Sequence, residues 1–225
     1  MSYLYSGVSI KNRRQSNMDS LLLKGKKIEK KDAFLAVVCD GVGSLENGAF
    51  AAGTSTRMLS EWFRKVTNSE DIGLRMRDTV LKINTYIVSE ARHKGILTAS
   101  TLSALLLIGE LYYIVHVGDS RVYYYDDGTL LGLTNDDVSV SGKLTACIGQ
   151  TENIILQYSE GSAADKLFIL CSDGLYKRMN IDFMISNINT QNRRGLRESA
   201  EALIQYAISH GEQDNISLAL VKTES

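Results

Sequence analysis

Proline is absent from the 225-residue chain, so its turns must rest on Gly, Asn and Asp. Cysteine occurs only three times, at Cys39, Cys147 and Cys171, with no CxxC pair. That odd, scattered count suggests neither a disulfide framework nor a zinc site. Small strand-end packing is the plain reading of these thiols; a nucleophilic cysteine is the other. Neither sign of charge is in excess: Lys plus Arg is 25, Asp plus Glu is 26, and the formal net charge is -1. This balance argues against nucleic acid or an anionic membrane as partner, and no acidic tail calls for a basic one. Apolar runs are short, LSALLLI (102–108) among them, far below the roughly 20 residues of a membrane span. The first residues, MSYLYSGVSIKNRRQSN, lack the charged-then-apolar order of a signal peptide, so the expected compartment is the cytoplasm.

What is present is an ordinary globular composition, 44% hydrophobic and 23% charged, which fits one domain over 1–225 with a full core. Short apolar or alternating runs predict strands at SYLYSGVSI, DSLLL, AFLAVVCD, STLSALLLI, LYYIVHV, RVYYYD, KLFILCS and ISLALVK. Gly109-Glu110 and Asp127-Gly128 predict tight hairpin turns, the second joining YYYD to TLLGL. Helical spacing marks three stripes. Met58, Leu59, Trp62, Phe63 and Val66 form the first, and Met76, Val80, Ile83, Ile87 and Ala91 the second. Leu196, Ala200, Leu203 and Ala207 form the third, stopped by Gly211. The polar stretch NTQNRRG (189–195) is expected to be a surface loop. Strands, a helix pair, hairpins, then helices and a last strand do not alternate as a doubly wound fold does. The order predicts an α+β class with mainly antiparallel sheets covered by helices.

The run AVVCDGVGS (36–44) drives an apolar strand straight into Asp40. A buried carboxylate is expensive to desolvate and needs a partner. The pattern recurs: VVCDG, HVGDS and LCSDG place Asp40, Asp119 and Asp173 just past strands, EQDNIS places Asp214 just before one, and NMDS places Asp19 at the start of another. Each alone is explained by turn-making. Five together suggest convergence at one edge, where their repulsion calls for cations. Oxygen ligands without His or Cys suit Mg²⁺ or Mn²⁺. Two such ions roughly 3.5–4 Å apart activate water against a phosphate group. A guanidinium, from Arg13 or Arg14, is the natural phosphate holder. Of the histidines, His93 and His210 fall near helix ends, and His116 alone stands close to the carboxylates.

These residues resemble the metal-dependent Ser/Thr protein phosphatases of the 2C type, in order along nearly the whole chain. RQSNMDS (14–20), CDGVGS (39–44), ASTLSALLL (99–107) and HVGDSRVYYY (116–125) are similar to its first motifs. LTNDDVSV (133–140), LTACIG (144–149), LCSDGLY (170–176) and EQDNIS (212–217) are similar to the later ones. The resemblance implies a four-layer sandwich, two antiparallel β-sheets flanked by helix pairs. It further implies that Asp40 bridges two core ions of Mg²⁺ or Mn²⁺, with the Gly41 carbonyl on the second and Asp173 and Asp214 completing the first. Asp119 with Asp173 would hold a third ion, Arg14 would bind phosphate, and Asp19 would orient metal-bound water. The implied reaction is in-line hydrolysis of phosphoserine or phosphothreonine by a bridging hydroxide, on a phosphoprotein whose Ser/Thr kinase it opposes.

The chain departs from the family at several positions. Met18 stands where Glu is usual, Val42 where animal members carry His and bacterial ones commonly Met, Ser44 for a glycine, and Asp137 for the His after Asp136. Eight residues separate Asp136 from Thr145, where relatives insert a longer flap. These departures leave a second reading open, a pseudophosphatase that binds a partner without turnover.

Overall fold

The computed structural model describes residues 2–45 and 47–224. The chain forms β1 (Ser2–Ile10), β2 (Ser20–Ile28) and β3 (Lys31–Cys39), then α1 (Gly48–Lys65) and α2 (Ile72–Lys94). β4 (Leu102–Ile108), β5 (Leu111–Val117), β6 (Arg121–Asp126), β7 (Thr129–Gly132), β8 (Gln157–Ser162) and β9 (Leu167–Cys171) follow. Short α3 (Asp173–Tyr176) and α4 (Ile181–Ser186), the longer α5 (Arg193–Ser209) and β10 (Ile216–Glu224) close the order. All pairs are antiparallel, in two five-stranded sheets ordered β1-β10-β9-β6-β7 and β2-β3-β4-β5-β8.

Three apolar layers hold the sandwich. Between the sheets lie Phe34, Ala36, Val38, Leu105, Phe168 and Leu170. The intervening residues of β3, Leu35, Val37 and Cys39, face the opposite way and pack with Leu59, Phe63, Met76 and Ile83 of α1 and α2. Likewise Leu167, Ile169 and Cys171 of β9 turn outward to Leu196, Ala200 and Leu203 of α5. Because both faces of β3, β4 and β9 are covered, these strands read as unbroken apolar runs rather than alternating ones. The three cysteines are buried and free, and burial raises the Cys39 and Cys171 thiols, which keeps them protonated packing groups.

Both expected hairpin turns form: Ile108 pairs with Leu111, and Asp126 with Thr129, the latter across Asp127 and Gly128 at positive φ. The loop expected at 189–195 is shorter, since α5 begins at Arg193; Asn192 caps it, its side chain accepting from the Gly195 N–H. β8 (QYSEGS) carried no sequence signal. It is a polar edge strand held by its pairing to β5 rather than by burial.

Register brings the carboxylates to one end of the sandwich. Cys171 at the end of β9 pairs with both Leu218 near the start of β10 and Arg121 at the start of β6. Asp173, Asp214 and Asp119 therefore leave the same sheet edge. Asp40 leaves the adjoining edge of the other sheet, where its N–H meets the Thr101 hydroxyl (2.9 Å) and its carbonyl the Thr101 N–H (2.9 Å).

Candidate functional site

A cleft of about 620 Å³ opens at this end, lined by Arg14, Met18, Asp40, Gly41, Asp119, Asp173 and Asp214 among others. Asp19 lies beneath it. One of its carboxylate oxygens accepts from the hydroxyls of Ser172 (2.9 Å) and Ser217 (2.7 Å); the other, Oδ1, is buried without a hydrogen-bond partner. All five carboxylates singled out in the sequence thus gather at one place, with Arg14 beside them. Of the two adjacent arginines, Arg14 lines the cleft and Arg13 is not among its lining residues.

Close backbone approach makes this possible. A Cβ on Gly41 would stand 2.6 Å from the Gly48 carbonyl carbon and 2.7 Å from the Met18 carbonyl oxygen. Gly41 and Gly48 thereby let the first turn of α1 and the Arg14-bearing loop meet behind Asp40. A Cβ on Gly174 would fall 2.0 Å from the Asn215 carbonyl oxygen, so the Asp173 and Asp214 segments touch main chain to main chain.

Asn215 fastens that contact. Its side-chain oxygen accepts from the Met18 N–H (2.8 Å), and its amide donates to the carbonyls of Lys11 (3.0 Å) and Ser16 (2.9 Å). Three bonds from one side chain fix the loop that presents Arg14. Asn215, Thr101, Ser172, Ser217 and Lys177 are functional neighbours that sequence patterns alone do not single out. Thr101, Asn215, Ser172 and Ser217 stand inside matched motifs, which was the available signal.

The electrostatics follow from crowding. Burial, then the charges of Asp19 and Asp173, push the Asp40 carboxyl well above the carboxylate range. Burial also lifts Asp119, with Asp173 adding to it, to about 6. Asp19 rises to about 6 through burial, despite its two serine hydrogen bonds. Asp214 differs: partial burial pushes it up, but Arg14 and the Asn215 N–H outweigh this and hold it below its ordinary value. Arg14 grips Asp214 with two bonds, Nε to Oδ1 at 2.9 Å and Nη2 to Oδ2 at 2.6 Å. Lys177, one helical turn after Asp173, donates to Asp173 Oδ2.

The two protein cations therefore draw Asp214 and Asp173 toward themselves. Among the described residues no three His, Cys, Asp or Glu side chains are closed into a ready metal cage. The donor chemistry nonetheless fits a hard divalent ion. Every ligand candidate is an oxygen, the cleft is open to water, and Asp40 is crowded by carboxylates whose repulsion a cation would relieve. The buried, unpartnered Asp19 Oδ1 adds a further acceptor behind the cleft.

His116 is structural. It is fully buried, its Nδ1 meets the Ser103 hydroxyl (2.9 Å), and its Nε2 lies 3.1 Å from the carbonyls of Gly118 and Asn135. It ties the Asp119 turn to the segment after β7. Asp137 strengthens that tie: its carboxylate accepts from the Gly118 N–H (2.9 Å) and from Gln157 (3.1 Å). Neighbouring Asp136 binds Arg121 through Nε (2.9 Å) and Nη2 (2.8 Å), and the Arg121 guanidinium stacks 3.6 Å over Tyr176.

The sequence profile of the family described as Protein phosphatase 2C matches residues 6–217. The serine/threonine phosphatase stp of Listeria welshimeri is 30% identical over 213 residues, 84% of each chain. The serine/threonine phosphatase structure of S. agalactiae superposes with a TM-score of 0.88 at 21% identity, over 99% of this chain and 100% of that one. The catalytic domain of the phosphatase PstP, in complex with two manganese ions, superposes with a TM-score of 0.86 at 23% identity over 99% of both chains.

Proposed function

Since this chain belongs to the protein phosphatase 2C family, we propose that it is a Mg²⁺- or Mn²⁺-dependent phosphatase, one domain over 1–225, that hydrolyses phosphoserine and phosphothreonine in proteins. The observation that carries this reading is the convergence of Asp40, Asp119, Asp173 and Asp214 with Arg14 around one open cleft. Asp40, Asp173 and Asp214, with the Gly41 carbonyl, would hold two ions. Bound there, such ions supply a water made acidic and positive charge against the phosphoryl oxygens.

The chain's own residues do the rest. Arg14, half-exposed at the rim, is placed to turn its planar donors from Asp214 to a phosphate, which it matches two oxygens at a time. Asn215 keeps that guanidinium in register by fixing the 11–18 loop. Asp19 is positioned by Ser172 and Ser217 with Oδ1 free to accept a proton-bearing group, so it would orient water beneath the cleft. Direct attack by water, without a phosphoenzyme, is the reaction the family resemblance implies. No helix among the described residues is long and apolar enough to cross a membrane. The cytoplasm as the place of the activity, and a Ser/Thr kinase as its opponent, are part of the same proposal and rest on the sequence and the family.

Retention of the full carboxylate set with Arg14 favours turnover over a pseudophosphatase. Purified protein should hydrolyse a small aryl phosphate with Mn²⁺ or Mg²⁺ and stop in EDTA. A folded protein that is inactive with every divalent ion would favour partner binding instead.

Arg14→Ala should raise KM for a phosphopeptide more than it lowers kcat. Losing charged hydrogen bonds of about 1.5–3 kcal/mol should cut kcat/KM about tenfold or more. Steady-state kinetics decide it; an unchanged KM would remove Arg14 from phosphate binding.

A further inference from the structure

Lys177 stands one helical turn after Asp173, and its ammonium donates to Asp173 Oδ2. Lys177, Asp119 and Asp173 also share the wall of an adjoining cavity of about 950 Å³ that runs on from the main cleft. We propose that Lys177 is a built-in cation for the Asp119–Asp173 pair and stands where a third divalent ion would otherwise bind. The inference rests on the metal-dependent reading above and concerns how many ions the site takes.

The position of Lys177 is fixed by everything around it. Leu175 is buried in the outer core, Gly174 lies against the Asn215 carbonyl, and Tyr176 is covered by the Arg121 guanidinium, itself held by Asp136. α3 therefore has little freedom, and the lysine stem leaves it toward the carboxylates. The other cations of the cavity wall are less suited. Arg92 is committed to Glu152 at 2.8 Å, and Lys143 is exposed. Arg14 serves Asp214, on the opposite flank. Lys177 is thus the cation that answers Asp173, and its charge also bears on Asp119.

A divalent ion arriving between Asp119 and Asp173 would have to displace the ammonium and then remain beside it. A tethered cation is present at every metal concentration, and like charges at contact distance repel strongly in a partly desolvated site. The charge of Lys177 also reaches Asp40 and Asp214, but its hydrogen bond goes to Asp173 and Arg14 holds Asp214, so the effect is centred on the Asp119–Asp173 side of the site.

The test counts Mn²⁺ per chain by equilibrium dialysis for the native protein, Lys177→Gln, Lys177→Arg and the double variant Lys177→Gln with Asp119→Asn. Lys177→Gln should bind one more Mn²⁺ than the native protein, weakly; adding Asp119→Asn should remove that extra ion, and Lys177→Arg should count as native. Melting in EDTA gives a second readout and checks folding, since Lys177→Gln should melt below native and Lys177→Arg near it. Equal counts for native and Lys177→Gln overturn the inference, as does an extra ion that survives Asp119→Asn. A native protein that binds two ions and a Lys177→Gln variant that also binds two overturn this inference alone. A native protein that binds none overturns the metal-dependent reading as well.

Discussion

Asp40→Asn is expected to abolish turnover and, in EDTA, to make the protein harder to unfold. The carboxyl at the end of β3 is crowded by Asp19, Asp173 and Asp119, and its pKa is raised by burial and by those charges. A carboxyl whose folded pKa lies above its unfolded value leaves the fold most stable at low pH, and that stability is lost as pH rises through the folded pKa. At neutral pH the charge is therefore a cost to the metal-free fold, which Asn removes while keeping the side chain's shape. Each kcal/mol gained should appear as about 2–4 °C in Tm for a chain of this size. The difference between variant and native should shrink in acid. With Mn²⁺ the order reverses in function: on the metal-dependent reading proposed above, losing the Asp40 carboxylate should remove several kcal/mol of transition-state stabilisation, about a thousandfold or more in kcat. Calorimetry in EDTA beside an aryl phosphate assay reads both effects. A variant less stable than native in EDTA at neutral pH would mean that Asp40 is not electrostatically strained.

Gly174→Ala carries the largest expected effect on stability. The added Cβ would lie 2.0 Å from the Asn215 carbonyl oxygen, and backbone on both sides leaves no flexible side chain to yield. Relief requires Asn215 to move, which pulls on the three hydrogen bonds that hold the 11–18 loop and shifts Asp214 beside it. Overpacking of this kind should cost about 3 kcal/mol or more, roughly 6–12 °C in Tm. Gly43→Ala is the control, because a Cβ there meets nothing within 4 Å. Urea denaturation of the two variants checks the contrast. A Gly174→Ala protein as stable as Gly43→Ala would refute the backbone contact as the device that joins the two aspartates.

Much of this was legible in the sequence, for identifiable reasons. The stripes of α1, α2 and α5 are long enough for periodicity to speak, and the apolar runs of β3, β4 and β9 announce strands covered on both faces. The carboxylates were visible because each sits where an apolar run stops or starts. What was hidden depends on partners distant in sequence. β8 has no apolar pattern and exists through its pairing with β5. The β2–β3 turn uses Glu29 and Lys30 at positive φ, a conformation ordinarily signalled by Gly or Asn. Asn215 and Ser217 look like turn and strand residues until the fold brings Met18 and Asp19 to them, 197 and 198 positions away. Lys177 carries no sequence signal at all apart from its i, i+4 spacing to Asp173. One departure has a local reason: Asp137 accepts from the Gly118 N–H and so holds the Asp119 turn.

The central claim is that this one cleft removes phosphate from protein serine and threonine. Its most direct test is phosphate release from phosphoserine and phosphothreonine peptides in Mn²⁺, native protein beside Asp173→Asn. Release by the native protein that the variant loses, with both folded, is the predicted result. Equal release by both would place the chemistry elsewhere, and no release by either would contradict the phosphatase reading.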